Sequence, residues 1–119
     1  MSFSVQNDWR EEGGNVEQKD NELYLIGEGA KISLQSEVSG VATISIKFGL
    51  RSGPMTLAIS VGDKNVFKRA IQEGAPIPAN APLQTLNLKT TAASRRIIVE
   101  LLSGSRGTAV VAMDYHVQS

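Results

Sequence analysis

Apolar and polar residues alternate with a period of two along much of the chain. In the run from Val41 to Leu50, the apolar residues share one face and the polar residues Thr43, Ser45 and Lys47 share the other. Such alternation is typical of a β-strand with one buried face. The same pattern recurs at residues 55–61, 97–101 and 111–117, and shorter instances lie at 23–25, 32–34 and 86–88. The pattern predicts nine or ten strands.

Glycine, serine and proline separate these apolar runs. Gly62-Asp63 lies directly between two of them and predicts a two-residue antiparallel hairpin, because glycine suits the first central position of a type II′ turn. Gly27-Glu28-Gly29 predicts another turn. Residues 73–82 contain three prolines, which cannot donate hydrogen bonds to a β-ladder, so we expect this stretch to be a long connection between sheets.

Length and composition fit one domain over residues 1–119. The chain has 12.7 kDa, 41% hydrophobic residues and 20% charged residues, which is enough for one core and close to the average of globular proteins. No stretch has convincing helical periodicity with a cap at its start, and there is no cysteine to form disulfides or a thiolate site. We therefore predict an all-β fold, a two-sheet antiparallel β-sandwich of the jelly-roll type.

The charge balance narrows the functional classes. Twelve basic and twelve acidic residues give a formal net charge of zero, whereas a general nucleic-acid binder needs a basic excess. Eight of the acidic residues lie within residues 1–37, against three basic ones. This concentration fits either a cation site or a solvated surface. No apolar run is long enough to span a membrane, so we expect no membrane insertion.

The residue inventory offers little for catalysis. The one histidine, His116, comes two positions after Asp114, so on a strand their side chains lie roughly 7 Å apart, too far for a direct orienting hydrogen bond. A glycosidase needs two carboxylates facing each other across a sugar, and the sequence cannot show such a pair. We predict that the protein is not an enzyme.

Binding depends on exposed aromatic side chains, which are scarce in this chain. Phe48 and Tyr115 fall on the alternation faces that we expect to be buried, while Tyr24 alternates with Leu23 and Leu25 and is expected to point outward. Trp9 lies in a polar segment. Tyr24 and Trp9 are therefore candidate stacking residues for a sugar, with packing at the edge of the sandwich as the alternative for both.

The order of features resembles the galactose-binding-like jelly rolls, in particular carbohydrate-binding modules of families 6 and 35. The resemblance spans nearly the whole chain. An acidic, glycine-containing segment comes first, an aromatic follows before a glycine turn (Tyr24-Leu-Ile-Gly27-Glu-Gly29), and the chain closes on Met113-Asp-Tyr-His-Val117, which is similar to the closing Asp-Tyr-Ile strand of the family.

The resemblance implies a structural calcium ion held by Asp114 and Glu17, with Gln6 standing where a glutamate is usual. It also implies that Tyr24 stacks on a sugar. Two departures are Leu83, near the place of an expected tryptophan, and Ala112, in the place of an expected asparagine. The loops 73–81 and 103–107 could supply an altered site, and their polar candidates are Glu73, Asn80 and Arg106.

Two functions follow as hypotheses. The first is a non-catalytic domain that binds a polysaccharide, located outside the cell as part of, or ancillary to, a larger glycan-active protein. The second is a structural subunit of a surface layer, appendage or virion, whose oppositely charged ends pair between copies in a homo-oligomer.

Overall fold

Nine β-strands form the chain in a computed structural model that describes residues 9–35, 40–78 and 81–118. They are β1 Trp9–Lys19, β2 Glu22–Gln35, β3 Ala42–Ser52, β4 Met55–Val61, β5 Lys64–Ile71, β6 Gln84–Thr90, β7 Arg96–Leu101, β8 Thr108–Ala112 and β9 His116–Gln118. All the strand pairs are antiparallel. Over the described ranges no helix is long and apolar enough to cross a membrane. The predicted all-β class is confirmed.

The strands curl into two layers that share the β1–β2 hairpin. The first half of β2, residues 22–26, pairs with β8, and its second half, residues 31–35, pairs with β7. One layer therefore continues from β2 through β7 and β4 to β5, and the other through β8 and β3 to β6. β9 extends the second layer by pairing with β3. The chain repeatedly crosses between the layers, as a jelly-roll sandwich requires.

Glycines bend the shared hairpin at the corner between the layers. Gly14 has a φ of +71°, and a Cβ atom added to it would lie 2.4 Å from the backbone nitrogen of Ala30. Only glycine fits such a close approach of two strands. Gly27 and Gly29 have positive φ on the partner strand. The predicted turn at residues 27–29 is thus wrong: these residues bend a single strand at an irregularity in its pairing, and β2 pairs with β1 on both sides of it.

The predicted alternation describes the core well. The inward residues of β3, β4 and β7 are buried, including Ile44, Leu57 and Val99. The rings of Phe48 and Phe67 meet edge to face with centroids 5.1 Å apart, which joins β3 of one layer to β5 of the other. The hairpin at Gly62-Asp63 is confirmed as the connection between β4 and β5. The proline segment connects β5 to β6 and so crosses between layers, as predicted.

The alternation of burial continues to the end of the described chain, although the strand is interrupted there. The pattern predicts one inward face for Val111, Met113, Tyr115 and Val117, but β8 ends at Ala112 and β9 begins at His116. Val111 and Met113 are buried, whereas Tyr115 and Val117 are only half-buried and pack against the margin of the core. Asp114 and His116 between them are exposed, so the predicted alternation of faces is confirmed, although residues 113–115 belong to no strand.

Candidate functional site

A groove of about 400 Å³ lies on the outer face of the layer that contains β3, β6 and β9. Its apolar surface includes the side chains of Tyr115 and Leu83. Hydroxyl, amino, carboxylate and imidazole groups surround this surface, supplied by Ser45, Thr85, Lys47, Asp114 and His116. We refer to this feature as the Tyr115 groove.

Strand register explains why these residues meet. Lys47 is the direct partner of Thr85 across β3 and β6, and Ser45 is the partner of His116 across β3 and β9. Their side chains point outward because Ile44, Ile46 and Phe48, which alternate with them on β3, point into the core. The break between β8 and β9 then brings the consecutive residues Asp114, Tyr115 and His116 into one groove.

Two hydrogen bonds fix polar groups at this surface. The hydroxyl of Ser45 donates to Oδ1 of Asn87 over 2.5 Å, which leaves the amide NH₂ of Asn87 to donate elsewhere. The amide of Asn21 donates to Oδ2 of Asp114 over 2.6 Å. This second bond holds the Asp114 carboxylate while its other oxygen can still accept a hydrogen bond.

Tyr24 is half-buried and lies outside the Tyr115 groove. It is the direct partner of Val110 on β8 and of Glu17 on β1. Its hydroxyl donates to Oε1 of Glu22 over 2.9 Å. This hydrogen bond to a carboxylate is the main cause that raises the pKa of Tyr24, and burial adds to it. The side chain alternates with Leu23 and Leu25, which are buried, as the sequence pattern predicts.

Trp9 belongs to the core and not to an exposed binding surface. Only 3% of the residue is exposed, and its indole N–H donates to the backbone carbonyl of Met113 over 3.0 Å. A sugar cannot stack on a ring that is covered on both faces. The alternative drawn from the sequence, packing at the edge of the sandwich, describes Trp9 correctly.

Two of the three loop candidates contact each other. Nη2 of Arg106 lies 2.7 Å from Oε1 of Glu73, with both side chains about 70% exposed (71% and 70%). The third candidate, Asn80, lies outside the described residues, as does Gln6. Glu73 and Arg106 do not line the Tyr115 groove. Their role in ligand contact stays a prediction.

The calcium site that the resemblance implies lies only partly within the described residues, because Gln6 is outside them. Calcium takes six to eight oxygen ligands. No group of three or more Asp, Glu, His or Cys side chains suited to a metal ion occurs within residues 9–35, 40–78 and 81–118. Asp114 instead accepts from the amide of Asn21. Since Gln6 is outside these ranges, the full ligand set stays a prediction.

The sequence analysis named Asp114 as a metal ligand and Leu83 and Ala112 as departures from the family pattern, but it did not identify Tyr115 as a ligand-binding residue. Tyr115 was assigned to the core because it continues the period of Val111 and Met113. The signal that could have revealed it is the polar pair Asp114 and His116 on either side, since three consecutive residues with side chains of this kind are typical of a strand break at a surface.

No protein-family model matches the chain, and a search of curated proteins finds no match. Among solved structures, the chain is similar to the C-terminal CBM6 of LamC, a marine laminarinase from Zobellia galactanivorans, at 12% identity, with 95% of this chain and 90% of that chain covered and a TM-score of 0.46.

It is also similar to CBM6cm-2, a carbohydrate-binding module from the Cellvibrio mixtus lichenase 5A in complex with cellotriose, at 12% identity, with 100% and 98% coverage and a TM-score of 0.48. A third structure, a CBM4, has 16% identity, 94% and 78% coverage and a TM-score of 0.45. At these identities and scores the chain is only loosely similar to these modules of families 6 and 4.

Proposed function

We propose that the protein is a non-catalytic domain that binds a carbohydrate in the Tyr115 groove. The observation that supports this proposal is the composition of the groove. An aromatic ring and the aliphatic side chain of Leu83 form its apolar surface, and hydrogen-bonding groups of several kinds stand around them.

This combination matches the chemistry of a sugar ring. A pyranose presents an apolar face of C–H groups, which packs against an aromatic ring, and a rim of hydroxyl groups, which both donate and accept hydrogen bonds. Lys47 can only donate to such hydroxyls, and ionised Asp114 can only accept from them. Thr85 can do both, and Ser45, whose hydrogen is donated to Asn87, can accept, so the groove can satisfy hydroxyls of either orientation.

The same groups argue for binding without catalysis. Glycoside hydrolysis requires two carboxylates on opposite sides of the scissile bond. Among the residues that line the groove, only Asp114 carries a carboxylate, and Asn21 holds one of its oxygens. His116 is exposed on the three-residue strand β9, in register with Ser45. These contacts support recognition of a ligand as the role of the groove.

A set of three ring-to-leucine variants tests this proposal. Tyr115→Leu keeps an apolar side chain against the core but removes the ring, and we expect its affinity for a bound polysaccharide to fall roughly tenfold, as expected for loss of one aromatic contact. Phe67→Leu is the matched control, because Phe67 packs against Phe48 between the layers and does not line the groove. Binding is measured by calorimetry after a screen of soluble polysaccharides.

Tyr24→Leu completes the set and locates the site. Loss of affinity in Tyr24→Leu with unchanged affinity in Tyr115→Leu would move the site to the aromatic that the sequence predicted. Equal affinity in all three variants, or no binding to any polysaccharide in the screen, would overturn the proposal.

Calcium binding by Asp114 and Glu17, an extracellular location and attachment to a glycan-active protein stay predictions from the resemblance. Thermal unfolding with calcium and with a chelator tests the first of these, because an ion that binds only the folded state raises its melting temperature. Asp114→Ala should abolish any such rise. The alternative role as an assembly subunit also stays a prediction, and light scattering over a range of concentrations tests it.

A further inference from the structure

A second cavity lies between strands β5 and β6, where the two layers of the sandwich open. It measures about 340 Å³, and we call it the edge cleft. Its lining includes the exposed Val66, the buried Val61 and Leu88 behind it, and the two lysines Lys64 and Lys89. No acidic residue is among the described residues that line it.

Strand β6 joins the edge cleft to the Tyr115 groove. Thr85 of this strand lines the groove, while Asn87 and Lys89, on the same outward face, line the cleft. Ser45 belongs to the groove and donates its hydroxyl to Asn87, so a hydrogen bond links the two linings directly. A ligand that leaves the groove across β6 therefore reaches the edge cleft without crossing another element.

Lysine side chains mark both ends of this path. Lys47 is in register with Thr85 and lies in the groove, and Lys89 is in register with Thr43. Four residues of β3 separate these two registers, which is roughly 13 Å of extended strand. The spacing fits an extended polymer with charges at intervals along its length, and it is too long for one small anion to contact both lysines.

The charge of β5 adds to that of the cleft. Lys64, Lys68 and Arg69 lie on this edge strand, which carries no acidic residue, although Asp63 precedes it in the turn. A cleft lined by one sign of charge concentrates ligands of the opposite sign.

We propose that the carbohydrate bound in the Tyr115 groove is an acidic polysaccharide, and that the edge cleft binds its carboxylate or sulfate groups. This inference rests on the proposed function and adds a chemical class to it. A uronate or sulfated sugar would pack a C–H face on the exposed Val66 while its anionic group contacts Lys64 and Lys89. Asn87, whose Oδ1 is occupied by Ser45, would donate its amide N–H to the same group.

A polysaccharide fits these surfaces better than a polynucleotide. The formal net charge of the chain is zero, so it lacks the overall basic excess that drives binding to a phosphate backbone. Within the described part of the chain the path across β6 presents lysines, hydroxyls and amides. Its rings are the half-buried Tyr115 and the adjacent His116 in the groove, and no ring among the described residues lines the edge cleft, whereas single-stranded nucleic acids stack on successive exposed aromatic rings.

The experiment compares charged and neutral forms of the same polymer on the full chain. Polygalacturonate and its fully methyl-esterified form share a backbone and differ in whether each carboxyl group is a charged carboxylate or an uncharged methyl ester, and a sulfated galactan and its desulfated form differ in the sulfate. We expect at least one charged form to bind roughly tenfold more tightly than its neutral counterpart at low salt, since cationic clefts concentrate anions to this extent. The preference should shrink as salt screens the lysines.

Variants then assign the preference to the edge cleft. The double variant Lys64→Gln/Lys89→Gln should lower affinity for the charged form to that of the neutral form and leave neutral binding unchanged. The matched control Arg10→Gln/Lys19→Gln removes two exposed positive charges from β1, at the other edge of the sandwich, and should change neither.

Three results would overturn the inference: equal affinity for the charged and neutral forms, a preference that survives the double variant, or tighter binding of polyuridylate than of any polysaccharide. If the protein binds neutral and charged polysaccharides equally and this binding depends on Tyr115, the inference about charge is wrong and the proposed function stands. Binding of no polysaccharide at all would remove the proposed function with it.

Discussion

Trp9 and Met113 are 104 residues apart in sequence and are joined by a hydrogen bond from the indole N–H to the backbone carbonyl. Trp9 pairs with the part of β2 that belongs to the β7 layer, whereas Met113 follows β8 in the other layer. The bond therefore connects the two layers through the core. The function of Trp9 that follows from this contact is structural.

Trp9→Phe should lower the free energy of unfolding by about 1–3 kcal/mol, because it leaves the buried carbonyl of Met113 without its donor and removes part of a buried ring. Chemical denaturation measures the change. Polysaccharide affinity should stay that of the native protein at temperatures where the variant is folded. A Trp9→Phe variant with native stability but without polysaccharide affinity would instead show that Trp9 contributes to the binding site.

Alanine substitutions at the corner glycines Gly14 and Gly29 should destabilise the fold to different extents. Gly14→Ala places a methyl group within 2.5 Å of the Gly29 carbonyl in a left-handed conformation, and we expect a loss of more than about 2 kcal/mol of stability. Gly29→Ala also has a positive φ of 87°, but a Cβ atom there meets nothing within 4 Å. Its cost should be only the conformational penalty of about 1–2 kcal/mol. Equal losses in denaturant would show that space at the corner is not limiting.

Glu12 predicts how stability depends on pH. The hydroxyl of Ser33 donates to its carboxylate over 2.5 Å, and Arg96 lies 2.6 Å from the same oxygen; the bond from Ser33, followed by that from Arg96, lowers the pKa of Glu12. A group whose pKa is lower in the folded state stabilises the fold above its ordinary pKa and stops doing so as the pH falls through the lowered value.

We therefore expect native stability to decrease on acidification below the ordinary range of a glutamate. Glu12→Gln should be less stable than the native protein at neutral pH and should lose less stability toward acid. Denaturation curves at several pH values from neutral to strongly acidic measure both effects. Parallel pH profiles for the two proteins would exclude this role of Glu12.

Loss of the ion pair between Arg106 and Glu73 should change both stability and polysaccharide affinity little. Their ion pair is about 70% exposed, and exposed pairs contribute at most about 1 kcal/mol. Arg106→Gln should thus unfold within that margin of the native protein and, because neither residue lines the Tyr115 groove, should bind polysaccharide with native affinity. A large loss of affinity at unchanged stability would instead assign the loop candidates to the site.

The sequence predicted the fold through strands that bury one face. In β3, the alternation of Ile44 and Ile46 with Ser45 and Lys47 places every side chain correctly, because a period of two is a direct consequence of strand geometry. Strand β1 carries few apolar residues, since it lies at an edge and is held by its pairing with β2. Hydrophobic periodicity gives no signal for such a strand.

The site was harder to predict than the fold for a related reason. Tyr115 lies between two short strands, and its exposure depends on where β8 ends, which the hydrogen bonds of β2 and β3 determine and residue type does not. The ion pair between Glu73 and Arg106, and the bond from Asn21 to Asp114, join residues 33 and 93 positions apart. Such contacts follow from the topology of the sheet, and no local pattern contains them.

The hairpin that both layers share also constrains how the molecule reaches its native state. The two halves of this hairpin are completed by β7 and β8, which come late in the chain. The backbone groups in the first third of the polypeptide therefore find all their hydrogen-bond partners only after the final third has been synthesised. During synthesis on the ribosome the early strands thus keep unpaired edges until β7 and β8 have emerged. Closure of the sandwich is consequently a late, non-local and slow event.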